Sequence, residues 1–468
     1  MMRNWLAICL ILGNSLCLLA QDESVMAYTL RHSPDHKTIE ISIDFDTLMA
    51  NDVNLIIPQS APGTYELTSY ISFVNSVKAN TAKGENIKAE KGMGSFFSFL
   101  ETQPIVSIEY SVDIERMERE LMGAFASSKM RENYLGMLGY SVFGFLEGFE
   151  ENEVSLTIKT ASDWPIFSTL SPTTERKLGI ASYGASNYAV LADAQYLLGK
   201  GVELIEMNET PIPLFVAAFS ETKINMEEIG RRAALALNGL ADFFGYVPMP
   251  HYTVCYEFLA PLSPRHEYGF SMEHLNSMTA SLDTSRAIFD YDPNARIGGL
   301  VHHIGHSWIP LRSYGKGYRP FNWQTAPLIE TIWLNEGFIW YISYYYVLNF
   351  KKILSRFQST MEEAPHFVKK MSLKELSLLG SSQYSADFRI GRNLFSRGAL
   401  FAHDIDLSIK EQTNNEKSIK DALLALLKWS EKHQRAFEYD EIATIISEAL
   451  NVDISNVWAK WQEPPIND

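Results

Sequence analysis

From residue 25 to about 205, apolar residues recur at every second position; beyond about 225 they recur every third or fourth. No single-layer architecture accommodates both periods, because period two belongs to half-buried strands and period 3.6 to amphipathic helices. "TIEISIDF", "VSIEYSV" and "EVSLTIKT" alternate strictly, and "SPDH", "SAPGTY", "KGEN" and "SDWP" mark turns between such runs. The first part of the chain therefore reads as an antiparallel β domain of sandwich type. No Gly/Ser-rich or Pro-rich linker follows it, so the next domain is expected to pack directly on it.

The helical pattern opens at about 225 to 244. Asn225 can cap this helix, with Glu228 three residues on. Ile229, Ala233, Leu237, Leu240 and Phe244 form its apolar stripe, and Gly245 stops it. "YTVCYEFL" reads as a strand. A further helix is expected from Asp292-Pro293 through Trp308, ended by Pro310, and another from about Asn335. From about 353 the chain is largely helical. "SIKDALLALLKW" and "DEIATIISEAL" both start at a capping residue, Ser418 and Asp440.

With 468 residues, the length predicts about three domains. Acidic residues outnumber basic ones, 56 to 40, for a net charge of −16, which argues against a nucleic-acid partner. "MMRNWLAICLILGNSLCLLAQDES" has a basic start and an apolar run too short to span a bilayer. It reads as a signal peptide over 1–20, cut between Ala20 and Gln21. An exported chain, periplasmic or extracellular, follows, with no transmembrane segment after cleavage. Cys9 and Cys17 leave with that segment. Cys255 remains alone in a strand pattern, so the exported chain forms no internal disulfide and relies on its core.

The chemistry concentrates in "GGLVHHIGHSWIP". On a helix, positions i and i+4 share a face, so His302 and His306 can grip one ion, and zinc favours imidazole and carboxylate ligands. Gly305 leaves room for a close neighbour. A third ligand must come from elsewhere: "IWLNEGF" offers Glu336, and Glu330 is a second candidate. A histidine pair alone is a weak signal, since structural histidines outnumber ligands.

The surroundings add to it. The pairing of "HHIGHSW" with "WLNEGF" resembles the H-E-x-x-H-x-W and W-x-x-E-G motifs of the glycyl aminopeptidase family of gluzincin zinc metallopeptidases, metallopeptidase family sixty-one. "APGTYELTSY" resembles its P-G-x-Y turn, "YGFSMEHLNSMT" its G-G-x-E-H segment, and "FSRGALFAHDIDLSIKEQT" its Y-x-K-G-A-L helix. These matches run from about residue 55 to 410 in the family's order. The resemblance implies a multidomain α+β chain. Its parts would be an N-terminal β-sandwich-like domain over 21–212, a thermolysin-like metallopeptidase-type domain over 213–352, and a C-terminal helical region over 353–468. It also implies one zinc ion on His302, His306 and Glu336. The PDZ domain often found after the helices in that family has no counterpart before Asp468.

The departures fall on the chemistry. His303 stands where the family has its general-base glutamate, and such a base is typically worth about 10²–10⁴ in rate. Phe395 stands where a tyrosine hydroxyl would face the developing oxyanion, a donor typically worth about 10²–10³. Phe270 and Ser271 replace two glycines, and Phe270 could narrow the path of a substrate strand. Glu273 matches the family's glutamate and could anchor a peptide's ammonium group. The sequence therefore predicts zinc binding with weak or no peptidase activity, and a peptide or protein ligand in the former cleft. One alternative is an active aminopeptidase for small N-terminal residues, with His303 as base, since imidazole is a capable base near neutral pH. The other is a metal-free structural or interaction protein. The aromatic run "FIWYISYYYVLNF" reads as a buried helix, with pocket lining as its second reading.

Overall fold

The computed structural model describes residues 25–121, 126–175, 177–264, 266–287 and 293–466. The expected signal peptide and the Asp292 cap lie outside them.

The N-terminal part is built on three sheets. A seven-stranded sheet runs in the order Ile180–Ala185, Val154–Lys159, Met26–His32, Thr38–Met49, Pro104–Asp113, Val74–Thr81, Asn86–Lys88. Two four-stranded sheets share one apolar core with it, which holds Leu30, Ile41, Ile43, Ile108, Val112 and Ile158 from the large sheet and Leu55, Leu135 and Leu198 from the small ones. This is the layered β domain that the alternation predicts, with one correction. Met26–His32 pairs in parallel with Val154–Lys159, so the large sheet is not wholly antiparallel. Alternation reports burial on one face and carries no sign of strand direction.

The last strand of the alternating region, Val202–Met207, leaves this domain. It pairs with Leu214–Ser220 at one edge of a five-stranded sheet. Tyr252–Leu259 and Ser277–Asp283 follow in parallel, and Gly269–His274 closes the other edge antiparallel. Tyr252–Leu259 is buried at every residue, Cys255 included, as a strand covered on both faces must be. The helix Met226–Phe244 covers this sheet. Asn225 accepts the Glu228 N–H, and Gly245 ends the helix at φ +81°. All five residues of its expected stripe are buried.

Two helices then carry the motifs. Pro293–Gly305 ends three residues before Trp308, the expected limit. Past Gly305 the turns tighten, as Ser307 and Trp308 donate to carbonyls three residues back. The second helix spans 332–347, starting earlier than Asn335, and most of it winds in wide π-type turns. Such turns recur at functional sites. The rest of the chain is helical, and its longest helix, Phe388–Gln412, lies against 332–347.

One loop of the β domain reaches the second unit. In the P-G-x-Y turn Gly63 has φ +89° and Tyr65 φ +47°. The next residue, Glu66, is buried, and burial pushes its carboxyl up to about 7 against hydrogen bonds from Ala126 and Thr68. The ordinary value is 4.5, so between 4.5 and 7 the unfolded chain has released a proton that the folded chain retains. Stability from this site is therefore lost as pH rises through that window, by about 3 kcal/mol at most. Glu66→Gln is expected to flatten the fall in unfolding free energy between pH 4.5 and 8, as read by urea titration.

Candidate metal centre

The two helical motifs contribute side chains to one buried point. His302 and His306 lie on one face of their helix, one turn apart. Gly305 lets the helix 332–347 approach: a Cβ at Gly305 would sit 2.9 Å from Ile339 Cγ2. That approach brings Glu336 opposite the histidines. Its Oε2 is 3.1 Å from His302 Nε2 and 3.6 Å from His306 Nε2, and the two Nε2 atoms are 3.0 Å apart. All three residues are buried.

These spacings can be tested against an ion. Zinc ligands ~2.0–2.2 Å from a tetrahedral centre lie roughly 3.3–3.6 Å from one another. The observed triangle of 3.0, 3.1 and 3.6 Å closes on that size with small adjustments. His306 Nδ1 donates to the Ile309 carbonyl at 3.0 Å, which aims Nε2 into the site. Imidazoles that hold metals are commonly oriented this way. The early end of the motif helix makes this contact, because the tightened turn swings Ile309 back beneath the ring. The His302 ring stacks on Trp340 at 4.2 Å between centroids.

The electrostatics favour one positive charge among these groups. Burial and the neighbouring His306 push His302 down to about 3. Burial also opposes charge on His306, but the carboxylates of Glu273 and Glu336 outweigh it and hold His306 up at about 9. Burial alone would raise Glu336, yet His306 and His302 hold its carboxyl well below the usual range. Glu273 is lowered likewise, by His306 and His303 against burial. Ligand atoms of Glu273, His306 and Glu336 lie within 4.8 Å of one another, as do those of His302, His303 and His306, so these groups could hold a metal ion.

The structure thus brings His302, His303, His306, Glu336 and Glu273 together. It leaves Glu330 outside, in a partly exposed ion pair with Lys374 at 3.0 Å. Phe395 stands at the rim: its ring lies 5.5 Å from Trp340, which covers His302. The aromatic helix is both core and site wall. Phe270 does not narrow the cleft from the Glu273 side. It packs on the N-terminal core, as does Met272, and alternation along the strand puts Ser271 and Glu273 on the other face.

Sequence reasoning missed three tyrosines. Tyr65 accepts from Asn335 Nδ2 at 3.2 Å, beside Glu336, and its ring meets Tyr384 at 5.4 Å. Burial, then Glu336, raise Tyr65 and Tyr384 far above the usual phenol value, and the field of Glu273 adds to both. Tyr318 is fully buried, its hydroxyl without a partner, and it feels Glu273 and Glu336 as well. Tyr65 stood in a quoted motif, but as part of a turn. Its role needs the fold, since it comes from a loop of the β domain.

Residues 27–200 match the Peptidase M61 N-terminal domain. No curated protein matches the sequence. Similar solved structures include the aminopeptidase N family protein from Idiomarina loihiensis, 16% identical over 95% of this chain and 76% of that one, with a TM-score of 0.80. The M1 zinc metallopeptidase from Deinococcus radiodurans is 12% identical over 96% of both chains, with a TM-score of 0.54. A mutant of the latter bound to a Tyr-Ser-Ala substrate gives 11%, 96% of both chains and 0.53.

Proposed function

We propose that this protein is a metallopeptidase-type protein that holds one zinc ion on His302, His306 and Glu336 and cleaves peptides weakly or not at all, a reading that the N-terminal match and the fold support. The observation that carries the reading is the ligand triangle, complete and oriented, beside a base position whose side chain is engaged elsewhere. His303 Nε2 is 2.9 Å from Ser271 Oγ. A bound zinc ion would supply Lewis-acid polarisation of a carbonyl and activation of water.

The chain's own residues would then do the rest. Glu273, buried with its Oε1 unpartnered, would receive the ammonium group of a peptide or a protein N-terminus. Gly63 lines that carboxylate, since a Cβ there would stand 2.6 Å from Glu273 Oε1. Beside Gly63, at Pro62, lies a cavity of about 640 Å³ lined also by Asp193, Arg319 and Trp323, room for the remainder of a ligand. Phe395 would give the reacting centre no donor. Residues 1–20 would direct export. Among the described residues, no helix is long and apolar enough to cross a membrane.

The test counts zinc and turnover together. Purified protein is expected to contain about one zinc per chain, and the His302→Ala/His306→Ala variant none. Alanyl and glycyl peptides should be turned over at or near background. Chelator-sensitive turnover lost in the double variant would establish the alternative, a working aminopeptidase with His303 as base. Absence of zinc from both proteins would sink both readings.

A further inference from the structure

Two of the residues that depart from the family pattern touch each other. His303 replaces the glutamate and Ser271 replaces a glycine, and His303 Nε2 lies 2.9 Å from Ser271 Oγ. The other ring nitrogen, Nδ1, faces Glu273 Oε2 at 3.6 Å. We propose that Ser271, His303 and Glu273 form a nucleophile, base and acid array that hydrolyses carboxylic esters, an activity separate from the metal centre.

Three observations support the assignment. The order is correct: hydroxyl to one ring nitrogen, carboxylate to the other, the arrangement that activates a serine whatever the fold. Exposure follows it too. Ser271 is exposed, the His303 side chain 14% exposed, and Glu273 buried, so the nucleophile is accessible and the carboxylate dry. The placement has a simple cause. Ser271 and Glu273 are two apart on the edge strand Gly269–His274 and point to one face, towards the motif helix, where one imidazole can span both. The 3.6 Å separation exceeds a closed hydrogen bond, but such contacts are often loose before substrate binds.

In the step itself, Ser271 Oγ forms a bond to the acyl carbon and its proton passes to His303 Nε2. The carbon–oxygen bond to the alcohol breaks, and the alcohol leaves with that proton. Water then attacks the acyl-serine, giving a proton to His303, which passes it to Ser271 Oγ as the acyl–oxygen bond breaks, so that the carboxylic acid leaves and Ser271 and His303 are restored. Glu273 positions the ring through Nδ1–H. Esters are favoured over amides because an alkoxide leaves more easily than an amine. The apolar ring of Trp340, which stacks on His302, and that of Phe395 beside it offer a wall for the acyl group.

The experiment uses the full chain with an alkyl fluorophosphonate and with p-nitrophenyl butyrate, chelator present and absent. One adduct per chain is expected, mapped by peptide mass to Ser271 and absent from Ser271→Ala. This surface change leaves the fold intact, so it remains informative if other variants fail to fold. His303→Gln should slow labelling by about 10²–10⁴. Glu273→Gln should lower kcat for the ester without raising KM, which a merely structural role would not do. Chelator should leave the ester rate unchanged. The proposal is overturned if no adduct forms on Ser271 while a reference serine hydrolase labels fully, or if Ser271→Ala keeps the ester rate. Zinc content is measured on the same samples, so loss of the metal reading and loss of this one are told apart.

Discussion

Replacing His303 by glutamate and Phe395 by tyrosine together is expected to raise turnover of alanyl and glycyl peptides by about 10²–10⁴, in a chelator-sensitive manner. The ligand triangle, the free Glu273 oxygen and the Tyr65 turn are already assembled, so the variant adds only a base and a donor. His303→Glu alone should gain little, because without the hydroxyl the developing charge has no partner. Phe395→Tyr alone should gain little, because the attacking water has no carboxylate to take its proton. Groups acting as a unit are strongly non-additive, so the double variant is the decisive one. A double variant that keeps one zinc per chain and stays inactive would place the lesion elsewhere, with Ser271 beside the former base as the first suspect. The same His303→Glu change removes the imidazole that spans Ser271 and Glu273. It should therefore abolish ester hydrolysis as peptide hydrolysis appears, and one pair of assays separates the two chemistries.

Much of the site was legible because its parts are local patterns. Asn225 and Gly245 mark their helix by capping chemistry alone. His302 and His306 meet because of helical spacing. Glu336, thirty positions on, came from the motif resemblance, and spacing gave no means of preferring it to Glu330; only the fold turns Glu330 out to Lys374. The parallel pairing of the first strand was hidden because burial alternates identically in either direction. The wide turns of 332–347 were hidden because its residues are apolar on nearly every side, which blurs the period. The contact of Ser271 with His303 was beyond reach for another reason. The two lie 32 positions apart with no shared local pattern, and only the packing of an edge strand on a helix brings their side chains together.

The crossing of the two long helices behind the site is expected to be its most sensitive structural feature. Gly337, next to Glu336, and Gly398, in the "FSRG" segment, meet backbone to backbone. A Cβ at Gly398 would stand 2.2 Å from the Trp333 carbonyl oxygen, and one at Gly337 would stand 2.4 Å from Gly398 Cα. Neither obstacle is a side chain that can swing away, so a methyl group must push a whole helix. Overpacking a core typically costs about 1–3 kcal/mol, and rigid backbone on both sides argues for the upper end. Gly398→Ala and Gly337→Ala should each lower the midpoint of chemical unfolding accordingly. They should also weaken zinc binding, because the helix they displace carries Glu336 towards His302 and His306. Gly299→Ala supplies the contrast. It lies in the motif helix with nothing within 4 Å of a Cβ placed there. Alanine suits a helix better than glycine by about 0.5–1 kcal/mol, so this change should stabilise the chain and leave zinc content unaltered. If all three substitutions behaved alike, close approach of the helices would not be what holds Glu336 in place. Opposite signs at Gly299 and Gly398 would show that Gly337 and Gly398 serve the close packing of the two helices, and that the metal site depends on the fit of those helices as much as on its ligands.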